Sequence, residues 1–191
     1  MRYLILGSGP AGIAAAKAAR KQDRDAEVVI ATEENAAPYL RPVLPDLVSG
    51  ERELPGVADP QGKDLADLGI RLAGGKRARR VDGAKNRVSF SDGTEETYNF
   101  LCVATGGKPI LPVALMGAPG SFLFLNSLGD AQRVRERAMR SDTTVVYGPG
   151  YLGIEAARAL RKLGNQVVWI NHGLPRFGNP ISGEVEARVA D

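Results

Sequence analysis

The sequence contains very little cysteine. Cys102 is the only cysteine among its 191 residues, so the chain can form no internal disulfide, no CxxC pair and no cysteine-based zinc cluster. Cys102 lies in an apolar segment, residues 100–104, that is predicted to be a buried strand. A thiol in such a place is expected to serve as a small apolar side chain.

Long apolar runs are also missing. No stretch approaches the roughly 18 to 20 apolar residues that a membrane-spanning helix needs. The apolar residues 2–6 follow Met1 directly, which leaves no room for the basic region, the apolar region and the cleavage site of a signal peptide. We therefore expect a soluble, cytoplasmic protein.

A strong charge of either sign is absent as well. The formal net charge is +3, although 25% of the residues are charged. The densest basic run, residues 76–80, has no aromatic side chains between its cations, which is typical of a solvated strand or loop. Nucleic-acid binding is therefore not expected, whereas a hydrophobic content of 43% can supply a packed core.

One pattern occurs twice: a short apolar strand, a glycine turn, a helix and a second strand. The first copy covers residues 2–6, 11–20 and 27–31, and the second covers residues 143–147, 151–163 and 166–170. Apolar residues recur at helical spacing in the second helix, and Gly164 is placed to cap its C-terminus. The pattern predicts an α/β fold with two Rossmann-like βαβ units.

The segment between the two copies is divided by proline and glycine. Five prolines between residues 35 and 60 exclude a long helix or a central strand, so we predict a long ordered loop with one short helical turn. Beyond it we predict a short helix, a three-stranded β-meander, the buried strand and a capped, charged helix. These elements cover residues 61–69, then 76–81, 87–91 and 96–98, then 100–104, and finally 127–140.

The first glycine turn fits the pattern G-x-G-x-x-G. Its residues are Gly7, Ser8, Gly9, Pro10, Ala11 and Gly12. In such a turn the first glycine permits a tight bend, the second lets a pyrophosphate approach the main chain, and the third lets the helix lie close to the sheet. The phosphates then meet the positive N-terminus of the helix. This turn is therefore a candidate dinucleotide site.

Acidic residues follow the second strand of the first copy. Glu33 stands twenty-one positions after Gly12, and Glu34 is beside it. An acidic side chain at this point is expected to accept hydrogen bonds from the adenosine ribose of a dinucleotide. We choose Glu33 for this role, with Glu34 as the alternative.

The second glycine turn repeats the pattern. Its residues are Gly148, Pro149, Gly150, Tyr151, Leu152 and Gly153. Two such turns, each between a strand and a helix, suggest two dinucleotides that exchange electrons. The next strand ends at Asn171 and His172, without an acid for a free 2′-hydroxyl group. His172 or Arg176 could face the 2′-phosphate of NADPH, and a surface location for both side chains is the open alternative.

Residues 38–44, Pro-Tyr-Leu-Arg-Pro-Val-Leu, resemble the P-Y-x-R-P-x-L segment of the two-dinucleotide-binding-domain flavoproteins, the pyridine nucleotide-disulfide oxidoreductase superfamily. The likeness extends along the whole chain and points to the rubredoxin reductases, the ferredoxin reductases and the flavin portion of nitrite reductases. It implies that Arg41 and Pro42 lie along the pyrophosphate and the flavin of FAD, where an arginine fork suits phosphate oxygens.

Ala104, Thr105 and Gly106 resemble the A-T-G signature at which the flavin domain of this superfamily ends. The resemblance thus implies an FAD-binding domain over residues 1–108, with the β-meander as an insertion. An incomplete NAD(P)-binding domain would follow over residues 109–191.

Glu155 matches a glutamate that lies near the nicotinamide in this superfamily and often pairs with a lysine. The position of that lysine is taken by Asp46 in this chain, so the pair is not expected here. No catalytic acid or base can be named from the sequence.

The electron acceptor is expected to be external. The disulfide-reductase branch of the superfamily needs a cysteine pair beside the flavin, and Cys102 alone cannot supply it. The resemblance therefore implies transfer from NAD(P)H through FAD to a partner such as a rubredoxin or ferredoxin, a small iron-sulfur protein. A homodimer is one assembly consistent with it, and no metal site is expected.

The resemblance covers the N-terminal part of such an enzyme. In the superfamily a later segment with a G-D motif completes the flavin domain, and this sequence ends at Asp191 before any such segment. Truncation, proteolysis and a split gene would each give this result, and weak binding of adenine nucleotides is then expected. Two rival functions stay open: a non-catalytic nucleotide-binding regulatory module, and an NAD-dependent enzyme that uses one of the two turns.

Overall fold

The structure is a computed structural model that describes residues 1–54, 56–116 and 122–170. The chain forms two compact units. The first contains Met1–Leu40 and Ala58–Lys108, and the second contains Arg41–Val57 and the chain from Pro109 onward. Residues 41–57 thus pack with the second unit, although the sequence assigned them to the flavin domain. The functional assignment of the two units stays a prediction.

The first unit is built on a four-stranded parallel sheet and a three-stranded antiparallel sheet. In chain order its elements are β1 (Arg2–Leu6), α1 (Pro10–Gln22), β2 (Glu27–Ala31), β3 (Ile70–Ala73), β4 (Ala78–Asp82), β5 (Arg87–Phe90), β6 (Glu95–Thr97) and β7 (Phe100–Val103). The strand orders are β3-β2-β1-β7 and β4-β5-β6. The parallel strands therefore bring their carboxyl ends to one edge, where β1 runs into the first glycine turn.

Both faces of the parallel sheet are covered, because side chains alternate along each strand. On one face Ile5 and Ile30 pack with Ile13 of α1. On the other face the buried residues of β1 and β2 pack with those of the antiparallel sheet, and they are Leu4, Leu6, Val29, Ala31, Val88 and Phe90. Cover on both sides is the usual condition of parallel strands.

The second unit contains the second βαβ copy. Its elements are α2 (Leu44–Ser49), α3 (Leu128–Ala138), β8 (Thr143–Tyr147), α4 (Tyr151–Lys162) and β9 (Gln166–Ile170). β8 and β9 pair in parallel, and α2 packs against α3 and α4. The helix α3 starts with the predicted capping box, in which Ser127 and Asp130 hold each other's backbone amides.

Most predicted elements are confirmed. Both βαβ copies, the antiparallel meander and the capped helix occur within two residues of their predicted starts and ends. The proline-rich loop contains a 3-10 turn at Arg41–Val43 and the short helix α2, in agreement with one short helical segment. Gly164 follows α4 with a φ of 96°, which fits its predicted capping role.

Two expectations about the first unit are wrong, and one strand was missed. Residues 61–69 form a 3-10 turn at Pro60–Gly62 and a run of further turns instead of a helix, because glycine and proline at its start disfavour helical propagation. β3 was not expected, since it is short and carries a charged residue in its middle. The strand at 100–104 is not buried: Phe100 is 51% and Val103 63% exposed, because β7 is an edge strand.

No helix among the described residues is long and apolar enough to span a membrane.

Candidate functional site

The first corner, Gly7–Gly12, joins β1 to α1. Gly7 has a φ of 110°, a conformation that favours glycine, and its N–H donates to the carbonyl oxygen of Ala31 at 2.8 Å. A Cβ atom on Gly12 would overlap the carbonyl oxygen of Gly7. The helix can therefore begin this close to the sheet only with glycine at residue 12.

The N-terminus of α1 opens into free space. Gly9 is the N-cap residue with an extended backbone, and a Cβ atom there would meet no heavy atom within 4 Å. Pro10 and Ala11, in the first turn of α1, are exposed. Beside them the Ser8 and Thr32 hydroxyl oxygens lie 3.0 Å apart in a hydrogen bond, which ties the corner to the end of β2. The space beside Gly9 suits a ligand that needs the positive end of a helix.

The Ala104-Thr105-Gly106 segment lies against the first corner. The N–H of Ala104 donates to the carbonyl oxygen of Leu6 at 2.8 Å, and a Cβ atom on Gly7 would overlap the carbonyl oxygen of Ala104. Thr105 is exposed, and Gly106 has a φ of 69°. The structure thus brings two predicted site segments together because β7 pairs with β1.

The two candidate ribose acceptors have different surroundings. Glu33 is exposed and forms an ion pair with Arg77 at 3.3 Å. Glu34 is half-buried and accepts a hydrogen bond from the hydroxyl group of Tyr39, whose oxygen lies 2.8 and 2.9 Å from its two carboxylate oxygens. Glu33 is therefore the more accessible carboxylate, while the carboxylate of Glu34 is already hydrogen-bonded to the buried Tyr39.

Arg41 and Pro42 lie in the 3-10 turn that precedes α2, in the second unit. The Nη1 group of Arg41 donates to the carbonyl oxygen of Asn126, directly before the capping box of α3. The predicted role of Arg41 and Pro42 beside FAD stays a prediction.

The second corner, Gly148–Gly153, joins β8 to α4 and is built like the first. Gly148 has a φ of 148°, and its N–H donates to the carbonyl oxygen of Ile170 at 3.1 Å. A Cβ atom on Gly153 would overlap the carbonyl oxygen of Gly148, and one on Gly150 would meet nothing within 4 Å. In both corners, therefore, close packing requires the third glycine, and the second glycine lies beside open space.

The start of α4 is exposed. Tyr151 and Leu152 occupy its first two positions and are 66% and 48% exposed. Trp169 of β9 lies on the other side of the corner, where its indole Nε1–H donates to the carbonyl oxygen of Gly148 at 2.7 Å. Trp169 was not among the residues predicted from the sequence, although it is the only tryptophan of the chain and lies directly before the end of the strand.

Glu155 pairs with arginine instead of lysine. Arg158 lies 3.1 Å from the Glu155 carboxylate and 3.7 Å from that of Asp46 on α2, which also pairs with Arg52 at 3.0 Å. Asp46, which stands where the resemblance would place a lysine, thus belongs to a network of partly exposed ion pairs between α2 and α4. Exposed pairs of this kind contribute little to stability.

Two predicted residues cannot be placed. His172 and Arg176, the candidates for a 2′-phosphate, lie outside the described residues. Within the described ranges no group of three or more His, Cys, Asp or Glu side chains could hold a metal ion.

The geometry agrees with a comparison against known protein families. The model of the family described as pyridine nucleotide-disulphide oxidoreductase matches residues 1–191. The chain belongs to this family. Membership implies the use of a flavin and of NAD(P)H, and the open space at Gly9 and Gly150 fits the phosphates of such ligands.

Individual relatives of the chain are reductases of redox proteins. Rhodocoxin reductase from Rhodococcus erythropolis is 31% identical over 87% of the chain and 39% of the relative's length. The ferredoxin–NAD(+) reductase component of the anthranilate 1,2-dioxygenase system from Burkholderia cepacia is 32% identical over 88% of the chain and 42% of its length. The chain thus spans about two fifths of the length of these family members.

Solved structures show the same relationship. The covalent putidaredoxin reductase–putidaredoxin complex matches 99% of the chain and 46% of the reductase chain, with a TM-score of 0.83 and 25% identity. The structure of NADH:rubredoxin oxidoreductase from Clostridium acetobutylicum matches 88% of the chain and 43% of the oxidoreductase chain, with a TM-score of 0.78 and 25% identity. The fold is therefore that of part of a two-domain reductase.

Proposed function

We propose that the protein passes electrons from NAD(P)H through FAD to an external acceptor. The observation that carries the proposal is the pair of corners, since each combines a helix packed tightly through its third glycine with open space at its second. One corner would suffice for a protein that binds a single nucleotide. Two corners of the same construction support a donor and an acceptor dinucleotide in one protein.

In this proposal the first corner holds FAD. The pyrophosphate lies at the N-terminus of α1, beside Gly9, and the exposed Glu33 accepts hydrogen bonds from the ribose. Ala104, Thr105 and Gly106, which follow the strand next to β1, line the same cofactor. For Arg41 and Pro42 the role beside FAD rests on the family resemblance of their segment alone. The ion pair of Glu33 with Arg77 is exposed, so a ribose can displace it at small cost.

The second corner holds NAD(P)H. Its pyrophosphate lies at the N-terminus of α4, beside Gly150, with the exposed Tyr151 and Leu152 next to it. Glu155 follows one turn later, and Arg158 balances its charge. NADPH is accepted if His172 or Arg176 faces the 2′-phosphate.

The bound flavin would supply the chemistry, accepting a hydride from the pyridine nucleotide and passing electrons on. Cys102 is half-buried against the core beneath α1, so its thiol suits packing better than relay chemistry. The proposed acceptor is therefore a separate small iron-sulfur protein. The names of relatives such as terpredoxin reductase and putidaredoxin reductase support this choice.

The deciding experiment uses the full-length protein, purified and studied without oxygen. A yellow chromophore that NADH or NADPH bleaches is the expected result. A colourless protein that releases no flavin on gentle denaturation rejects the proposal and leaves the non-catalytic nucleotide-binding module in its place. A yellow protein that neither coenzyme reduces also rejects it, and equal turnover with NADH and NADPH removes the 2′-phosphate role of His172 and Arg176.

A further inference from the structure

The second corner contains a hydrogen bond that has no counterpart in the first. The indole Nε1–H of Trp169 donates to the carbonyl oxygen of Gly148 at 2.7 Å. The strand registers pair Leu6 with Ala31 and Tyr147 with Ile170, so residue 30 of β2 matches residue 169 of β9. That residue is an isoleucine, which has no side-chain donor.

Gly148 is anchored through both of its backbone polar groups. The N–H of Gly148 donates to Ile170, and its carbonyl oxygen accepts from Trp169. Both partners are consecutive residues of β9. Two consecutive residues of β9 thus hold the backbone of Gly148.

The first corner is supported differently. There the carbonyl group of Ala104 occupies the space next to Gly7. The space next to Gly148 contains no heavy atom within 4 Å of an added Cβ among the residues that the structure describes. Trp169 therefore restrains the Gly148 carbonyl group in a corner where no described neighbour fills the space beside the first glycine.

The direction of the Gly148 carbonyl matters for an anion. Pro149 has no N–H, so the peptide between Gly148 and Pro149 can offer only its carbonyl oxygen, which repels phosphate. The indole N–H binds this oxygen on the sheet side. A Cβ atom added to Gly153 would lie 3.4 Å from the Trp169 Nε1 atom, so the indole lies close to the first turn of α4.

We propose that Trp169 is a positioning residue for the pyrophosphate of the pyridine nucleotide. Its hydrogen bond keeps the Gly148 carbonyl turned away from the phosphates and so sets the direction of the Gly150 backbone at the start of α4. This inference rests on the proposed function of the second corner. It assigns Trp169 no contact with the nicotinamide and no part in the electron transfer.

The test compares Trp169→Phe, which keeps an aromatic ring without the donor, with the control Val168→Ala on the opposite face of the same strand. NADH and NADPH are titrated by calorimetry, without oxygen, into the full-length protein whose flavin has been reduced beforehand, so that the heat reports binding and not reduction. Loss of the hydrogen bond is expected to raise the dissociation constant about two- to tenfold. The control variant and the FAD content of both variants are expected to remain at the wild-type level.

A spectroscopic readout on the unmodified protein makes the test independent of how the variant folds. The indole N–H signal of Trp169 in a nitrogen–proton correlation spectrum of the full-length protein is identified by sequential assignment. That signal is expected to exchange slowly with water and to shift when NADH or NADPH binds. A signal that stays in place while calorimetry detects binding overturns the inference.

The outcomes separate this inference from the proposed function. Binding by the wild-type protein that Trp169→Phe leaves unchanged overturns the role of Trp169 only. A full-length wild-type protein that binds neither NADH nor NADPH overturns the proposed function, and the role of Trp169 with it.

Discussion

Packing among the described residues does not explain why residues 9 and 150 are glycines. Both have extended backbones, with φ values of −75° and −91° that any residue adopts. Neither has a neighbour that a Cβ atom would meet. Among the described residues, nothing requires glycine at these two positions. We propose that a ligand approaches the main chain there, which is the role that the fingerprint assigns to the second glycine.

Substitutions at the first corner test this distinction. Gly9→Ala is expected to change the free energy of unfolding by less than about 1 kcal/mol, since the site is an N-cap with room for a methyl group, but to release FAD. Gly12→Ala is expected to cost about 1 to 3 kcal/mol because its Cβ overlaps the Gly7 carbonyl. Denaturant titration and flavin absorbance of the full-length variants measure the two effects. Full FAD retention by Gly9→Ala would contradict the assignment.

Arg41 provides a second test at the residue scale. Arg41→Ala is expected to weaken FAD retention, because an arginine fork beside a pyrophosphate is lost. The control is Arg79→Ala, which removes an exposed arginine of β4. Flavin content after dialysis is the measurement. Equal flavin content in the two variants removes the role proposed for Arg41 and leaves its hydrogen bond to Asn126 as a structural contact.

At the scale of elements, the two βαβ copies differ in what covers them. On β1 and β2 the residues Leu4, Leu6, Val29 and Ala31 are at most 3% exposed beneath the antiparallel sheet. The residues at the matching positions of β8 and β9 are Val145, Tyr147, Val168 and Ile170, with exposures of 37% to 59%. These side chains are apolar in both copies. The sequence repeat therefore continues on a face that has no cover among the described residues of the second unit.

The matched valines give a prediction for this difference. Val29→Ala is expected to lower the free energy of opening of β2 by about 2 to 3 kcal/mol, since it removes buried methyl groups and leaves a cavity. Val168→Ala is expected to lower the free energy of opening of β9 by less than about 1 kcal/mol, because Val168 is exposed. Hydrogen exchange of the strand amides in the 191-residue chain measures both. Equal effects in the two strands would mean that the face of β9 is covered in solution.

Regular patterns explain why so many elements could be predicted from the sequence. A strand, a glycine turn and an alanine-rich helix leave local signals, and the Ser127–Asp130 capping box leaves another. β3 could not be found this way, because its four residues with Arg71 among them gain their strand conformation from pairing with β2. The exposure of Phe100 and Val103 was also missed, since an apolar segment does not show whether neighbours cover it.

The candidate sites, like the fold, could be predicted from the sequence only in part. The fingerprint glycines are local, so both corners followed from the sequence alone. The contact between Ala104 and Gly7 needs the pairing of β7 with β1, and it was not predicted. Trp169 was missed, because no local pattern connects a strand residue with the carbonyl oxygen of a glycine twenty-one positions earlier.

At the scale of the whole molecule, each corner belongs to a different compact unit. This division matches a protein in which two ligands bind at separate sites. The chain spans about two fifths of its curated relatives, so electron transfer and the identity of the acceptor are properties to be measured on the full-length protein.

The stoichiometry of dinucleotide binding tests the central claim most directly. Flavin analysis, and calorimetry of the previously reduced protein with NADH or NADPH, are expected to give one FAD and one pyridine nucleotide per full-length chain. Gly9→Ala is expected to abolish the first site only, and Gly150→Ala the second only. A single dinucleotide per chain, or one substitution that removes both ligands from a folded protein, would contradict the existence of two independent corners.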